Sequence, residues 1–158
     1  MQISKFIAAT REEVYAAFTN PRKLEKWCYP EGYTLTIPKF EARPNGRYRY
    51  VHQNKDGIYN CEGHFDEITK NEHLTFVDER ITGPDGSVLF ENLNGSISFR
   101  DKDRGTEVWI IQKGFINDED ERMIEQGWVD SLVQLSTYLG TSGKQSSKDE
   151  GGRNVAIH

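Results

Sequence analysis

The chain has 158 residues, 35% hydrophobic and 28% charged, with a formal net charge of -5. This length suits one domain with its own core, and the lack of any basic block excludes the phosphate-neutralising stripe that nucleic-acid binding needs. No apolar run approaches the ~20 residues of a membrane helix and no secretory pattern opens the chain, so the expectation is a cytoplasmic protein with no membrane span.

Gln2 to Ala9 reads as a short strand. Thr10, followed three residues on by Glu13, forms a capping box that starts a helix at Arg11, with Val14, Ala17 and Phe18 as its apolar stripe. Asn20-Pro21 stops that helix, and Pro21 can open a second short one through Leu24 to Trp27. From Tyr33 to Lys113 the apolar pattern has period two. Turn signals at Asn45-Gly46, Asp56-Gly57, Pro84-Asp85-Gly86 and Asp103 to Gly105 divide it into six strands, near 33–42, 46–53, 58–68, 73–81, 87–100 and 105–115.

One hairpin can be read in register. A four-residue loop from Asn54 to Gly57 sets Gln53 opposite Ile58, Tyr50 opposite Cys61, Arg49 opposite Glu62 and Tyr48 opposite Gly63. Tyr48, Tyr50, Tyr59, Cys61, Gly63 and Phe65 then share an interior face, with Tyr48 covering the strand glycine. Arg47, Arg49, Asn60, Glu62 and His64 share the outer face, where an Arg49–Glu62 pair is expected.

Asn117 is placed to cap a last helix whose first turn is acidic, and Ile124, Trp128, Leu132, Leu135 and Leu139 follow as its apolar stripe. Gly140 is a stop signal. The expected organisation is one domain over 1–140 and a flexible polar tail over 141–158.

Several pieces, in this order and spacing, resemble one family: ATREEVYAAFTNP from Ala9 to Pro21, Leu24 to Trp27, RPNGRYRY from Arg43 to Tyr50, GHFDEI from Gly63 to Ile68, and Gly127-Trp128. Through them the chain is similar to the START-like (SRPBCC, helix-grip) superfamily, and to its branch of activator of heat shock protein 90 ATPase homologues. The resemblance implies an α+β fold in which a curved antiparallel sheet of six to seven strands wraps a long C-terminal helix, with two short helices after the first strand. It also implies a cavity between sheet and helix. The sequence departs from the branch pattern at Trp27-Cys28-Tyr29-Pro30, near the expected cavity mouth.

A buried phenol needs a hydrogen-bond partner, so tyrosines on an interior face point to a cavity that holds water or a polar ligand group. The candidate lining residues are Trp27, Tyr48, Tyr50, Phe65, Trp128 and Leu132, and filling the space by Gly63→Leu is expected to block binding. Cys61 and His52 on the same face are the best nucleophile–base pair, but Tyr50 and Tyr59 lie between them, and Cys61 reads as a small buried residue. The histidines show no metal-ligand spacing, Cys28 and Cys61 read as reduced thiols, and no cofactor is implied. Arg43, Arg47 and Arg49 read as a solvated face, and Trp109 and Ile111 as a small patch on the outer sheet face. The leading expectation is non-catalytic binding of a small apolar or amphipathic molecule. The alternatives are a chaperone-associated interaction domain, as the branch name implies, or an enzyme acting on a cavity-bound apolar substrate.

Overall fold

The computed structural model describes residues 1–141, so the tail expected over 141–158 lies, but for Thr141, outside the described residues. The elements are β1 (Gln2–Ile7), α1 (Arg11–Thr19), α2 (Pro21–Leu24), β2 (Thr34–Phe40), β3 (Arg47–Asn54), β4 (Gly57–Thr69), β5 (His73–Thr82), β6 (Val88–Lys102), β7 (Gly105–Lys113) and α3 (Asp118–Thr141). The strands form one antiparallel sheet in the order β1-β7-β6-β5-β4-β3-β2, with α3 and the two short helices on its concave side. This is the helix-grip arrangement implied by the resemblance.

Local chemistry sets the element boundaries. The capping box forms, with the Thr10 hydroxyl accepting from the Glu13 amide and the Glu13 carboxylate accepting from the Thr10 amide. Asn20 closes α1 through its own amide, then caps α2 by accepting from the amides of Arg22 and Lys23. Helix α2 ends at Leu24, and turn bonds carry the chain on to Trp27 and Cys28. Asn117 caps α3 by accepting from the Asp120 amide, and α3 runs through Gly140, one residue beyond the expected stop.

The β3–β4 hairpin adopts the expected register, with Tyr48 opposite Gly63, Arg49 opposite Glu62, Tyr50 opposite Cys61 and Gln53 opposite Ile58. The outer-face ion pair differs. Arg49 donates to the Asn60 side chain at 3.0 Å, while Arg47 forks onto both carboxylate oxygens of Glu79 at 2.9 and 3.1 Å. The reason is a bulge between β4 and β5: Glu62 faces Arg80 and Gly63 faces Asp78, which leaves Glu79 as an extra residue. The bulge turns Glu79 outward, where a bidentate guanidinium pairing is available. Trp109 and Ile111 stand on the outer face as expected; Arg100 lies 5.3 Å from the Trp109 ring, and the indole donates to Glu107.

A single core fills the grip. Leu132, Leu135 and Leu139 of α3 are buried with Ile3, Ile7, Val108 and Ile110 of the first and last strands. Phe18 packs edge-on against both Trp27 and Phe99. Lys5, in the interior phase between Ile3 and Ile7, is 1% exposed, and its ammonium has no partner among the described residues.

Candidate ligand cavity

Between α3 and the inner face of β3 to β7 lies a cavity of about 240 Å³. Its walls are mainly apolar: Phe18, Phe65, Leu74, Phe76, Ile97 and Ile124 contribute, and it reaches solvent beside Leu89 and Met123, which are 41% and 59% exposed. The loop after α2 forms one side and is bound to α3: Gln134 donates to the carbonyls of Trp27 and Tyr29, and Asp130 accepts from the Glu31 amide. Gly127 leaves room for Pro30, whose ring lies 3.4 Å from where a β-carbon would stand.

Of the six lining residues expected from sequence, Tyr48, Tyr50, Phe65 and Trp128 line this cavity. Trp27 and Leu132 do not. Both are 0% exposed within the packed core; Trp27 is held by its indole bond to the Ala17 carbonyl and its contact with Phe18, and Leu132 is buried in the same cluster. An apolar stripe marks burial, and burial against protein and against a cavity leave the same pattern.

Gly63 is also corrected as a place to fill the cavity. A β-carbon there would lie 2.1 Å from the Val77 carbonyl oxygen and 2.4 Å from the Tyr48 hydroxyl. Tyr48 covers the glycine as expected, but so closely that any side chain would break the sheet contact before reaching the cavity.

The polar floor was not legible as a site. Asp78 on β5 accepts from the Tyr48 hydroxyl at 2.7 Å, the Cys61 thiol at 3.4 Å and the Gln112 side-chain amide at 2.9 Å. Gln112, on β7, accepts in turn from the Trp128 indole at 3.0 Å. Three strands besides its own thus send a donor to one carboxyl, and α3 is linked to it through Gln112. Asp78 counts as partly buried by surface area because its accessible part faces the cavity; desolvation still raises its carboxyl above the ordinary value, against the lowering effect of its three donors. A signal for it existed in the sequence. Asp78 follows Leu74 and Phe76, and Gln112 follows Val108 and Ile110, each at a spacing of two on an interior face.

Tyr50 lines the cavity with no hydrogen bond to its hydroxyl among the described residues, and burial holds that phenol well above its ordinary range. Burial also pushes Cys28 up to about 12 and Cys61 well above the usual thiol value. His52 points its Nε2 at the Cys28 carbonyl, 3.2 Å away, so that nitrogen carries the proton, and desolvation keeps the ring neutral. The Cys61 thiol is directed at Asp78 and not at His52. Tyr33 and Tyr59 meet at 5.6 Å between centroids beside His52.

A curled antiparallel sheet gripping a C-terminal helix, with a cavity between the two, defines a START-like helix-grip protein. More narrowly, the chain belongs to the family described as activator of Hsp90 ATPase homolog 1-like proteins, whose model matches residues 8–140. Similar solved structures include a protein from Chromobacterium violaceum, 25% identical over 87% of this chain and 94% of that one, with a TM-score of 0.76. A protein from Arthrobacter aurescens is 22% identical over 90% of this chain and 86% of that one, at a TM-score of 0.77. The AHSA1 protein from Silicibacter pomeroyi is 21% identical over 88% of this chain and 96% of that one, at a TM-score of 0.71. No curated protein matches significantly. Among the described residues, no helix is long and apolar enough to cross a membrane.

Proposed function

We propose that this protein binds a small, mainly apolar molecule between α3 and the tyrosine face of the central hairpin, without transforming it. One observation carries the reading: an aromatic-walled cavity, with the exposed Leu89 and Met123 on its wall, ends on a polar floor where the Tyr50 hydroxyl has no partner among the described residues. Pockets for small ligands combine apolar walls with a few convergent polar groups in this way. The non-catalytic part of the reading is supported by the candidate nucleophile: Cys61 is held as a thiol facing a carboxyl, away from the neutral His52. The unpaired thiols of Cys28 and Cys61 suit a reducing cytoplasm.

Fluorescence of Trp128 and amide NMR shifts, read against a panel of fatty acids, flavonoids and aromatic metabolites, test this directly. A binder should perturb residues clustered around Tyr48, Tyr50, Phe65 and Trp128. A broad panel without a single saturable shift there would end the reading. The family description favours a second reading, a chaperone-associated domain. A several-fold, saturating rise in Hsp90 ATP turnover, absent with an unrelated domain of equal size, would put that reading first.

A further inference from the structure

Resting on the cavity reading, we propose that the ligand is a hydrophobic amine, bound as a cation whose ammonium meets Asp78 in exchange for the carboxyl proton. The Tyr48 hydroxyl has one hydrogen and two acceptors in reach, the Val77 carbonyl at 2.9 Å and Asp78 Oδ1 at 2.7 Å. With Asp78 ionised the phenol hydrogen serves only one of them, and if it turns to Val77, Oδ1 keeps only the long 3.4 Å contact from the Cys61 thiol. With Asp78 protonated, its Oδ1–H donates to the phenol oxygen, and the phenol donates to Val77. The Gln112 amide still donates to Oδ2, and every contact is satisfied. This arrangement of donors favours a neutral carboxyl, in keeping with the raised titration of Asp78.

The groups around that carboxyl offer no counter-ion. Tyr48 and Tyr50 on β3, Cys61 on β4 and Cys28 after α2 are the titratable groups that couple to it, and all of them are acids. Gln112 on β7 and, behind it, Trp128 on α3 are neutral. A carboxylate ligand would find no positive charge to meet. An ammonium would find a carboxyl able to ionise, the Tyr50 oxygen, which has no partner among the described residues, and the aromatic rings of Tyr48, Tyr50 and Phe65, with Tyr48 5.1 Å by centroid from each of the other two. In the exchange the Asp78 O–H bond breaks and the proton leaves to solvent. The ammonium enters beside the carboxylate, the Tyr48 hydroxyl keeps its hydrogen on the Val77 carbonyl, and the cavity gains no net charge.

Three probes with one skeleton, phenylbutylamine, phenylbutanol and phenylbutanoate, test the proposal by calorimetry in buffers of differing ionisation enthalpy. The amine should bind at least about tenfold more tightly than the alcohol, as a desolvated charge-assisted contact requires, and the carboxylate most weakly. Amine binding should release a proton, and it should weaken as the pH falls and protonation of Asp78 competes. Asp78→Asn, which keeps the side-chain shape, should remove the amine's preference over the alcohol. The wild-type pH series stands on its own if that variant does not fold. Equal binding of alcohol and amine, tighter binding of the carboxylate, or an unchanged preference in Asp78→Asn would overturn the amine assignment while leaving the cavity reading intact. Failure of all three probes to bind would count against both.

Discussion

Trp128 on α3 donates its indole N–H to the side-chain oxygen of Gln112 on β7 across 3.0 Å, and the same side chain donates onward to Asp78 at 2.9 Å. The terminal helix is thus tied to the middle of the sheet by one amide whose donor and acceptor are both used. Gln112 is 2% exposed, so water cannot easily replace either bond. Gln112→Leu should cost about 1 to 3 kcal/mol in urea denaturation, since it leaves the indole and the carboxyl each short of a partner. In the same variant the Trp128 indole proton should move upfield in the NMR spectrum. An indole signal that stays in place would show that the bond is not formed in solution.

Lys5 opposes the fold it belongs to. Its ammonium is buried with no partner among the described residues, and desolvation lowers it from 10.5 to about 8. That difference corresponds to about 3 kcal/mol at pH below about 8, where native and unfolded chains are both charged. Lys5→Met should therefore stabilise the protein by about 1 to 3 kcal/mol at pH 7. Between about 8 and 10.5 the unfolded chain holds more protons than the native one, so wild-type stability should rise with pH and the gap to the variant should close. Denaturation midpoints of the pair at pH values across that window decide it; a constant gap would mean that the amine reaches solvent.

Asp78 has the opposite slope. Its native carboxyl titrates above the ordinary 3.8, so its contribution to stability is full below that pH and is lost as the pH rises through the native value. Asp78→Asn should gain on the wild type as the pH is raised above the ordinary 3.8 until the native carboxyl has ionised, because the amide carries no proton to lose. Parallel pH profiles for the two proteins would show that the carboxyl is already ionised in the folded state at no cost.

Gly63→Ala should destabilise strongly, by about 3 kcal/mol or more, because the new methyl would overlap the Val77 carbonyl and the Tyr48 hydroxyl at 2.1 and 2.4 Å. Neither neighbour can retreat cheaply, since the carbonyl belongs to the sheet backbone and the hydroxyl is held by Asp78. Thermal unfolding of the purified variant measures this. A loss below about 1 kcal/mol would mean that the β4–β5 bulge opens easily.

Both thiols should be nearly inert in the native protein. With Cys28 pushed up to about 12 and Cys61 well above the usual range, the reactive thiolate is scarce at pH 8 even though both side chains line the cavity. A disulfide reagent should modify them at least about a hundredfold more slowly than in urea-unfolded chain. Fast native labelling of one equivalent would reveal a thiolate and reopen the nucleophilic reading of Cys61.

The sequence by itself determined what depends on neighbours along the chain or on one hairpin. The Thr10–Glu13 box and the Asn117 cap are local hydrogen-bond arrangements; the stripe from Ile124 to Leu139 follows from helical periodicity. The pairing of Tyr48 with Gly63 follows from the length of a single turn. The tertiary structure alone decided which interior residues meet. Asp78, Cys61, Gln112, Tyr48 and Trp128 belong to four strands and a helix, and their meeting depends on the curl of the sheet, while the extra residue Glu79 is carried outward to Arg47. The same limit explains Trp27 and Leu132, whose burial was legible but whose packing against solid core was not. Hydrophobic patterning records that a side chain leaves water; whether it then meets another side chain or an open cavity depends on distances between strands far apart in the chain.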